Sequence, residues 1–395
     1  MFMRLKQNLI MILVLGILLV SMSLGGLTLK KEPIVPEDDP QDEPIVDIIP
    51  TSFCKQINSS EDIPNEVIDV VKHFMDDYFL SIYTLEKQDT AKYFINEIDG
   101  KISDYAIKLT LESRKLYDFD FTMSDAYYIL NITNYSFDGE EYHIDFLEDD
   151  YFCFKFLSGI SSESYDIENS IVIKNINGEY KIASYEKVQG YYTMFADNKN
   201  ENMDDIYNYY FERLKNVIED ENYKKDIAKN KPYVNNQSYV YSYDRAAASK
   251  YVEEYCHKRN EKYYDFSDEG GNCQNLASQA LATGGLGKDI GGEYEWYFNS
   301  YSDYVPSWVH VSSFNDYCRN NDSGIVCEVD ANIYYAEPGD IVQVGISSIS
   351  HSTIVSKIVD GHILLNSNSI DMKDFPLEAY VYPVRKLIKI LGSNS

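Results

Sequence analysis

One cysteine in this chain stands where a nucleophile would. Gly270-Gly271-Asn272 leads into Cys273, and a helical pattern then runs to Thr283 before Gly284-Gly285. Glycines commonly end helices, so the spacing predicts Cys273 in the first turn of a helix. Unpaired N–H groups and the positive end of the helix dipole favour a thiolate there. A nucleophilic sulfur needs a base, and the base needs a group to orient it. Downstream, Ile341-Val342-Gln343-Val344, His351-Ser352-Thr353-Ile354-Val355 and Ile363-Leu364-Leu365-Asn366 read as three short strands joined by tight turns. His351 opens the second and Asn366 closes the third. The chemistry this spacing supports is acyl transfer, with Cys273 attacking a carbonyl, His351 as base and Asn366 fixing the imidazole.

Other residues compete for these roles. His257, on the predicted Tyr243–Lys258 helix, His310, in a loop after Trp308, and His362, just after the Asp360-Gly361 turn at the end of the hairpin remote from His351, are rivals to His351 as base. If Asp360-Gly361 is a two-residue hairpin turn, a flat ladder sets Asn366 opposite Val355. Twist, stagger or a bulge must then bring it to His351. Asn368 and Asp371 lie nearer in register, and Asn368 is the alternative third residue. The Cys273 backbone N–H is the natural oxyanion donor, with the side chain of Asn272 or Gln274 as a second. The six cysteines also admit disulfides such as Cys318–Cys327 or Cys54–Cys153. Cys256-His257 with Cys273 offers mixed zinc ligands, but no C-x-x-C or H-E-x-x-H spacing accompanies them. We expect no metal and no cofactor.

The C-terminal part resembles a known family. Tyr243-Asp244-Arg245-Ala246-Ala247-Ala248, the Cys273 helix with Asn275 and Gln279, Gly284-Gly285, Ser307-Trp308, Pro338-Gly339-Asp340 and His351-Ser352 occur in the order and spacing of the amidase domain of secreted Gram-positive proteins. That domain belongs to a papain-like group with the NlpC/P60 and CHAP amidases. The resemblance covers 239–390. It implies an α+β papain-like fold, a Cys-His-Asn site at Cys273, His351 and Asn366, and a peptide or cell-wall peptide (peptidoglycan-type) substrate. The family usually has Asp before the cysteine; here that position is Asn272.

The elements that must position these residues belong to a longer chain. Its 395 residues, 44% hydrophobic, allow two or more domains, and a net charge of −29 argues against binding nucleic acid. In residues 1–28, Arg4 and Lys6 precede an apolar run, which reads as a signal peptide or N-terminal membrane anchor, the one membrane contact expected. An acidic, Pro-rich spacer, 29–52, follows. The expected location is exported: extracellular or on the outer face of the cytoplasmic membrane. Residues 53–195 read as a separate α+β domain, NTF2-like or cystatin-like: a helix over Asn65–Leu85, then strands at Ala126–Ile132, Glu141–Phe146, Tyr151–Phe156, Ser170–Lys174 and Tyr180–Glu186. His73 and His143 stand alone there and read as structural. A helix over Met203–Asp220 and a linker from Glu221 to Gln237 fill 196–238. The aromatic run Tyr294, Trp296, Tyr297, Phe298, Tyr301, Tyr304 and Trp308 fits either a substrate groove or plain packing. The alternative to an enzyme is a catalytically inactive cell-surface binding module on the same fold. The oligomeric state is open.

Overall fold

A computed structural model describes residues 49–395. The segment expected to be a signal or anchor, 1–28, and most of the 29–52 spacer lie outside them. No helix of the described residues is long and apolar enough to cross a membrane.

In chain order come β1 (Cys54–Asn58), α1 (Asn65–Thr84), α2 (Glu97–Arg114), β2 (Met123–Phe137), β3 (Glu141–Phe154), β4 (Ser162–Ile176) and β5 (Glu179–Lys187). Then follow α3 (Gly190–Asp197), α4 (Met203–Asn230), β6 (Tyr241–Ser242), α5 (Arg245–Tyr255) and α6 (Cys273–Thr283). The rest is β7 (Phe298–Ser300), β8 (Asp303–Tyr304), α7 (Pro306–Val309), α8 (Val311–Asn320), β9 (Ile325–Ala331), β10 (Ile341–Gly345), β11 (His351–Val359), β12 (His362–Ser367), β13 (Asp371–Pro376) and β14 (Val384–Ser393).

The fold is α+β, built on one mostly antiparallel sheet of 12 strands ordered β1-β2-β3-β4-β13-β12-β11-β10-β14-β6, with β5 beside β4 and β9 beside β14. The sheet of 53–195 thus runs on into that of 239–390. The join is β4 against β13, with Tyr165, Ser164 and Glu163 opposite Asp371, Met372 and Lys373. Lys373 Nζ lies 3.2 Å from Glu163, and Ser162 Oγ donates to the Asp374 carbonyl at 2.8 Å.

The central strands are apolar on both faces because both are covered. Ile341, Ile354, Ile388 and Ile390 face α6 and its neighbours. Val342, Val344, Val355 and Leu387 face a second core shared with α1–α4. Helix α1 buries Val67, Val71, Phe74, Met75, Phe79 and Ile82, the expected helical stripe.

Three local expectations change. Helix α2 was not anticipated: its apolar positions are diluted by Asp99, Gly100 and Lys101, and its start is fixed by Asn96, whose side chain accepts from the Ile98 and Asp99 N–H groups. Strand β3 is continuous where Leu147-Glu148-Asp149-Asp150 read as a break. Glu148 points inward there, and Lys187 meets its carboxylate at 2.8 and 3.0 Å. Helix α4 runs ten residues past Asp220 because Glu221, expected to open a linker, is buried against Arg385.

The motif that resembled the amidase domain is, physically, an interlock. Asp244 caps α5 by accepting from Ala247 N–H at 3.0 Å. Tyr243 Oη donates to the Gly339 carbonyl at 2.9 Å, and Arg245 reaches the buried Asp340 at 2.7 Å. Asp340 also accepts from the Ile390 and Glu337 N–H groups, at 2.8 and 2.9 Å. Gly284, after α6, lies against the Tyr243 ring, and a Cβ there would come to 2.3 Å of it. We expect Gly284→Ala to lower stability by about 1–3 kcal/mol through this overlap, measured by denaturant unfolding. A Tyr243→Ala background should erase the difference.

Candidate active site

Cys273 is the first residue of α6. The turn before it needs both glycines: Gly270 has φ 102° and Gly271 φ 118°. A Cβ on Gly271 would also approach Ser369 Oγ to 3.1 Å. That hydroxyl accepts the Asn272 N–H. The Asn272 side chain is buried and committed: Oδ1 accepts from Phe266 N–H at 3.3 Å and Asn275 Nδ2 at 2.6 Å, and Nδ2 donates to Asn368 Oδ1 at 3.2 Å. Position 272 therefore ties the loop before Cys273 to the β12–β13 turn.

Every residue from Cys273 to Leu281 is buried, so polar side chains on α6 need partners. Asn315 Nδ2 donates to Gln343 Oε1 at 2.7 Å, and Gln343 Nε2 reaches Ser352 Oγ at 3.4 Å. Ser352 Oγ donates to Gln274 Oε1 at 2.7 Å, and Gln274 Nε2 to Ser278 Oγ at 3.2 Å. This chain of bonds runs from α8 across β10 and β11 to the start of α6 and fixes their relative register. It also commits both polar atoms of the Gln274 side chain. Trp296 and Trp308 pack beside it with ring centroids 4.7 Å apart. Their indole N–H groups donate to Ser278 and Asn275 at 3.2 and 2.9 Å. Of the aromatic run, these two and Phe298 are core, and Tyr301 is exposed, its ring 4.1 Å from that of Tyr264.

The backbone N–H groups of Ser352, Gln274 and Cys273 itself lie near the Cys273 sulfur. These favour the thiolate, yet burial outweighs them and pushes the thiol above the ordinary cysteine range. Ser352 follows His351 directly, so the fold brings the start of α6 to the start of β11. His351 is partly buried, and desolvation pushes its imidazole down to about 4, leaving it neutral near pH 7. Among the described residues no hydrogen bond joins the His351 ring to Cys273 or Asn366.

Asn366 sits opposite Ile354, one residue nearer His351 than a flat ladder gives. The cause is a bulge at Ser356. Ser356 Oγ donates to Leu364 O at 3.2 Å and to Asp374 at 2.9 Å. Asn366 is buried, its Oδ1 accepts from Asp374 N–H at 2.7 Å, and its Nδ2 has no partner. The alternative, Asn368, donates to the carbonyls of Tyr255 and Cys256 at 3.0 and 2.8 Å and is bound to Asn272 as well.

The rival histidines are elsewhere. His362 is buried against Glu378 at 2.8 Å. His257 lies past the end of α5, its ring 5.1 Å from that of Tyr165. His310 joins α7 to α8. Among the described residues Cys256, His257 and Cys273 do not converge as ligands. His143, expected to stand alone, instead lies near Asp138 and Glu141 at the exposed β2–β3 turn, but the Asp138 carboxylate already accepts two backbone N–H groups at 2.9 Å. All six cysteines are free thiols. Ser352 and Ser369, which place the sulfur, were not singled out for these roles; the signal was a run of polar residues, Gln274, Ser278, Gln343 and Ser352, at core-facing positions.

Depression of His351 has a consequence for stability. An imidazole that titrates lower when folded binds fewer protons than in the unfolded chain, so stability falls as pH drops from about 6.5 to about 4. The loss should approach ~3 kcal/mol. His351→Gln should flatten that part of the curve, read from denaturant midpoints at pH 4.5 and 7.

No solved structure matches this chain significantly. The uncharacterized protein YhbB of Bacillus subtilis (strain 168) is 31% identical over 141 residues, which are 34% of this chain and 44% of that protein. The chain therefore spans less than half of the curated relative it matches. Residues 242–390, which hold Cys273, His351 and Asn366, match a family described as "Putative amidase domain", and that match supports an amide-hydrolase domain in this part of the chain.

Proposed function

We propose that the chain is an exported cysteine-dependent amide hydrolase whose 239–390 part works in the papain-like manner. Cys273 attacks an amide carbonyl, His351 takes its proton and returns it to the leaving amine, and water then releases the acyl group. The observation that carries this reading is the closeness of the Ser352 N–H to the Cys273 sulfur, which sets the thiol beside the residue that follows His351. Depression of the imidazole suits a neutral base facing a neutral thiol rather than a resting ion pair. The Cys273 and Gln274 N–H groups at the helix start are the oxyanion donors, since the Asn272 and Gln274 side chains are bound inward. Asn366 is the orienting residue; to act it must offer Oδ1 to the ring while keeping the Asp374 N–H. The exposed Tyr264–Tyr301 pair, beside the loop that precedes Cys273, fits a peptide-binding rim. The substrate class proposed is a peptide or cell-wall peptide amide.

The test is incubation of the full chain with purified cell-wall material and a panel of short peptide amides, following new amines by mass spectrometry. One observation favours the second reading, an inactive surface-binding module: Cys273 is only 7% exposed and its thiol is raised. Retention on cell-wall material with no amine released from any substrate would select that reading.

A further inference from the structure

A cavity of about 100 Å³ lies away from Cys273, between α1, α2, α3 and the 370–382 segment. Its wall is mostly aromatic and aliphatic, including Phe74, Ile107, Met372 and Phe375. Three polar side chains in that wall have buried atoms without partners: Arg114 at Nε and Nη1, Tyr191 at Oη and Tyr380 at Oη. Arg114 is 6% exposed, and Tyr191 and Tyr380 are 3%. No carboxylate pairs with Arg114 among the described residues. Its guanidinium faces the rings of Phe121 and Phe154 at 5.4 and 5.6 Å, which soften the charge but do not replace an anion. A buried charge without a counter-charge is strongly unfavourable, and so is a buried hydroxyl without a hydrogen bond.

From this geometry we infer that the cavity is a binding site for a small monocarboxylic acid with a compact apolar body, its carboxylate held by Arg114, Tyr191 and Tyr380.

Each part of the ligand follows from the wall. Lys187, also lining the cavity, is spent on Glu148 at 2.8 and 3.0 Å, and burial with the Glu148 charge pushes the neighbouring Asp150 carboxyl well above the usual carboxylate range, so Asp150 is a weak counter-charge and one positive charge is left over. One charge matches a monoanion; a phosphate dianion would bring a second charge with nothing to meet it. Guanidinium and carboxylate pair through two parallel hydrogen bonds, and Arg114 has two free nitrogens to supply them. The aromatic wall takes the apolar body. At about 100 Å³ the cavity is smaller than the ~150 Å³ that admits benzene, so the acid has on the order of four to six non-hydrogen atoms.

The experiment is isothermal titration of the full chain with propionate, butyrate and isobutyrate, with isobutanol as the uncharged control. At least one acid should bind with a dissociation constant at or below about 1 mM, and isobutanol at least about tenfold more weakly. Arg114→Met should lose at least about tenfold in acid affinity, and Arg114→Lys should keep part of it. Should Arg114→Met not fold, Tyr380→Phe decides: it keeps the ring, and its acid affinity should fall several-fold. Absence of acid binding up to about 10 mM would overturn the inference, as would equal acid binding by Arg114→Met, or by Tyr380→Phe where it decides. The readout is binding heat, so it stands or falls apart from amide hydrolysis.

Discussion

Cys273→Ala is expected to lower amide hydrolysis by about 10⁴-fold or more, to the residue of rate that binding and oxyanion donors supply. His351→Ala should cost about 10²–10⁴-fold, the usual share of a positioned base. The two losses should not add, because the residues act on one proton transfer. The cysteine variant loses only a sulfhydryl from a packed site, so its denaturant midpoint should stay close to the parent's and separate chemistry from folding. Labelling gives a second check. Burial raises the Cys273 thiol, but three N–H groups face its sulfur, whereas burial pushes Cys256 up to about 12 and Cys318 well above the usual range. Iodoacetamide should therefore modify Cys273 ahead of those two, and faster as pH rises. Turnover undiminished in Cys273→Ala would sink the nucleophile assignment, whatever the labelling shows.

Glu221→Ala should cost about 3–5 kcal/mol of stability, the largest loss we expect from a single change outside the site. Arg385 is buried on β14, and its Nη1 reaches both oxygens of Glu221 on α4, at 3.1 and 2.8 Å. It also donates to Tyr117 Oη at 3.2 Å and to the Tyr382 carbonyl at 2.9 Å. Removing Glu221 leaves the buried Arg385 guanidinium without its counter-charge. Burial pushes the Glu221 carboxyl up even beside Arg385, so attraction does not fully repay desolvation for this partner. Glu221→Met with Arg385→Met should therefore be more stable than Glu221→Ala alone, although two backbone carbonyls lose a donor. The measurement is urea unfolding of the full chain and the variants. A cost below about 1 kcal/mol for Glu221→Ala would show that α4 is held by its apolar face instead.

Much of the C-terminal half could be read from local pattern. The Gly270-Gly271 turn, the buried face of α6 and the Asp360-Gly361 hairpin all carry local signals, and local signals survive folding. What escaped depended on distant partners. Nothing near Glu148 announces that Lys187 will neutralise it, so β3 read as two strands. Nothing near Glu221 announces Arg385, so α4 ended ten residues early. The Ser356 bulge follows from contacts to Leu364 and Asp374 on two other strands, and it moves Asn366 by one register step. Within the site, the residue types at Cys273 and His351 suggested chemistry, while the groups that place the sulfur, Ser352 and Ser369, act largely through backbone partners that side-chain identity does not reveal.

The strand pairing between β4 and β13 also bears on how the chain is made. Ser162 must wait for Asp374, 212 residues later, before that edge closes. During synthesis the first strands emerge with part of β4 unpaired, and such an edge invites pairing with other chains. Closing so long a loop is slow, because its entropy is spent before the contact is gained. Nascent or truncated forms ending before β13 are therefore the species most prone to aggregate, and a chaperone that shields the β4 edge would raise the yield of native protein.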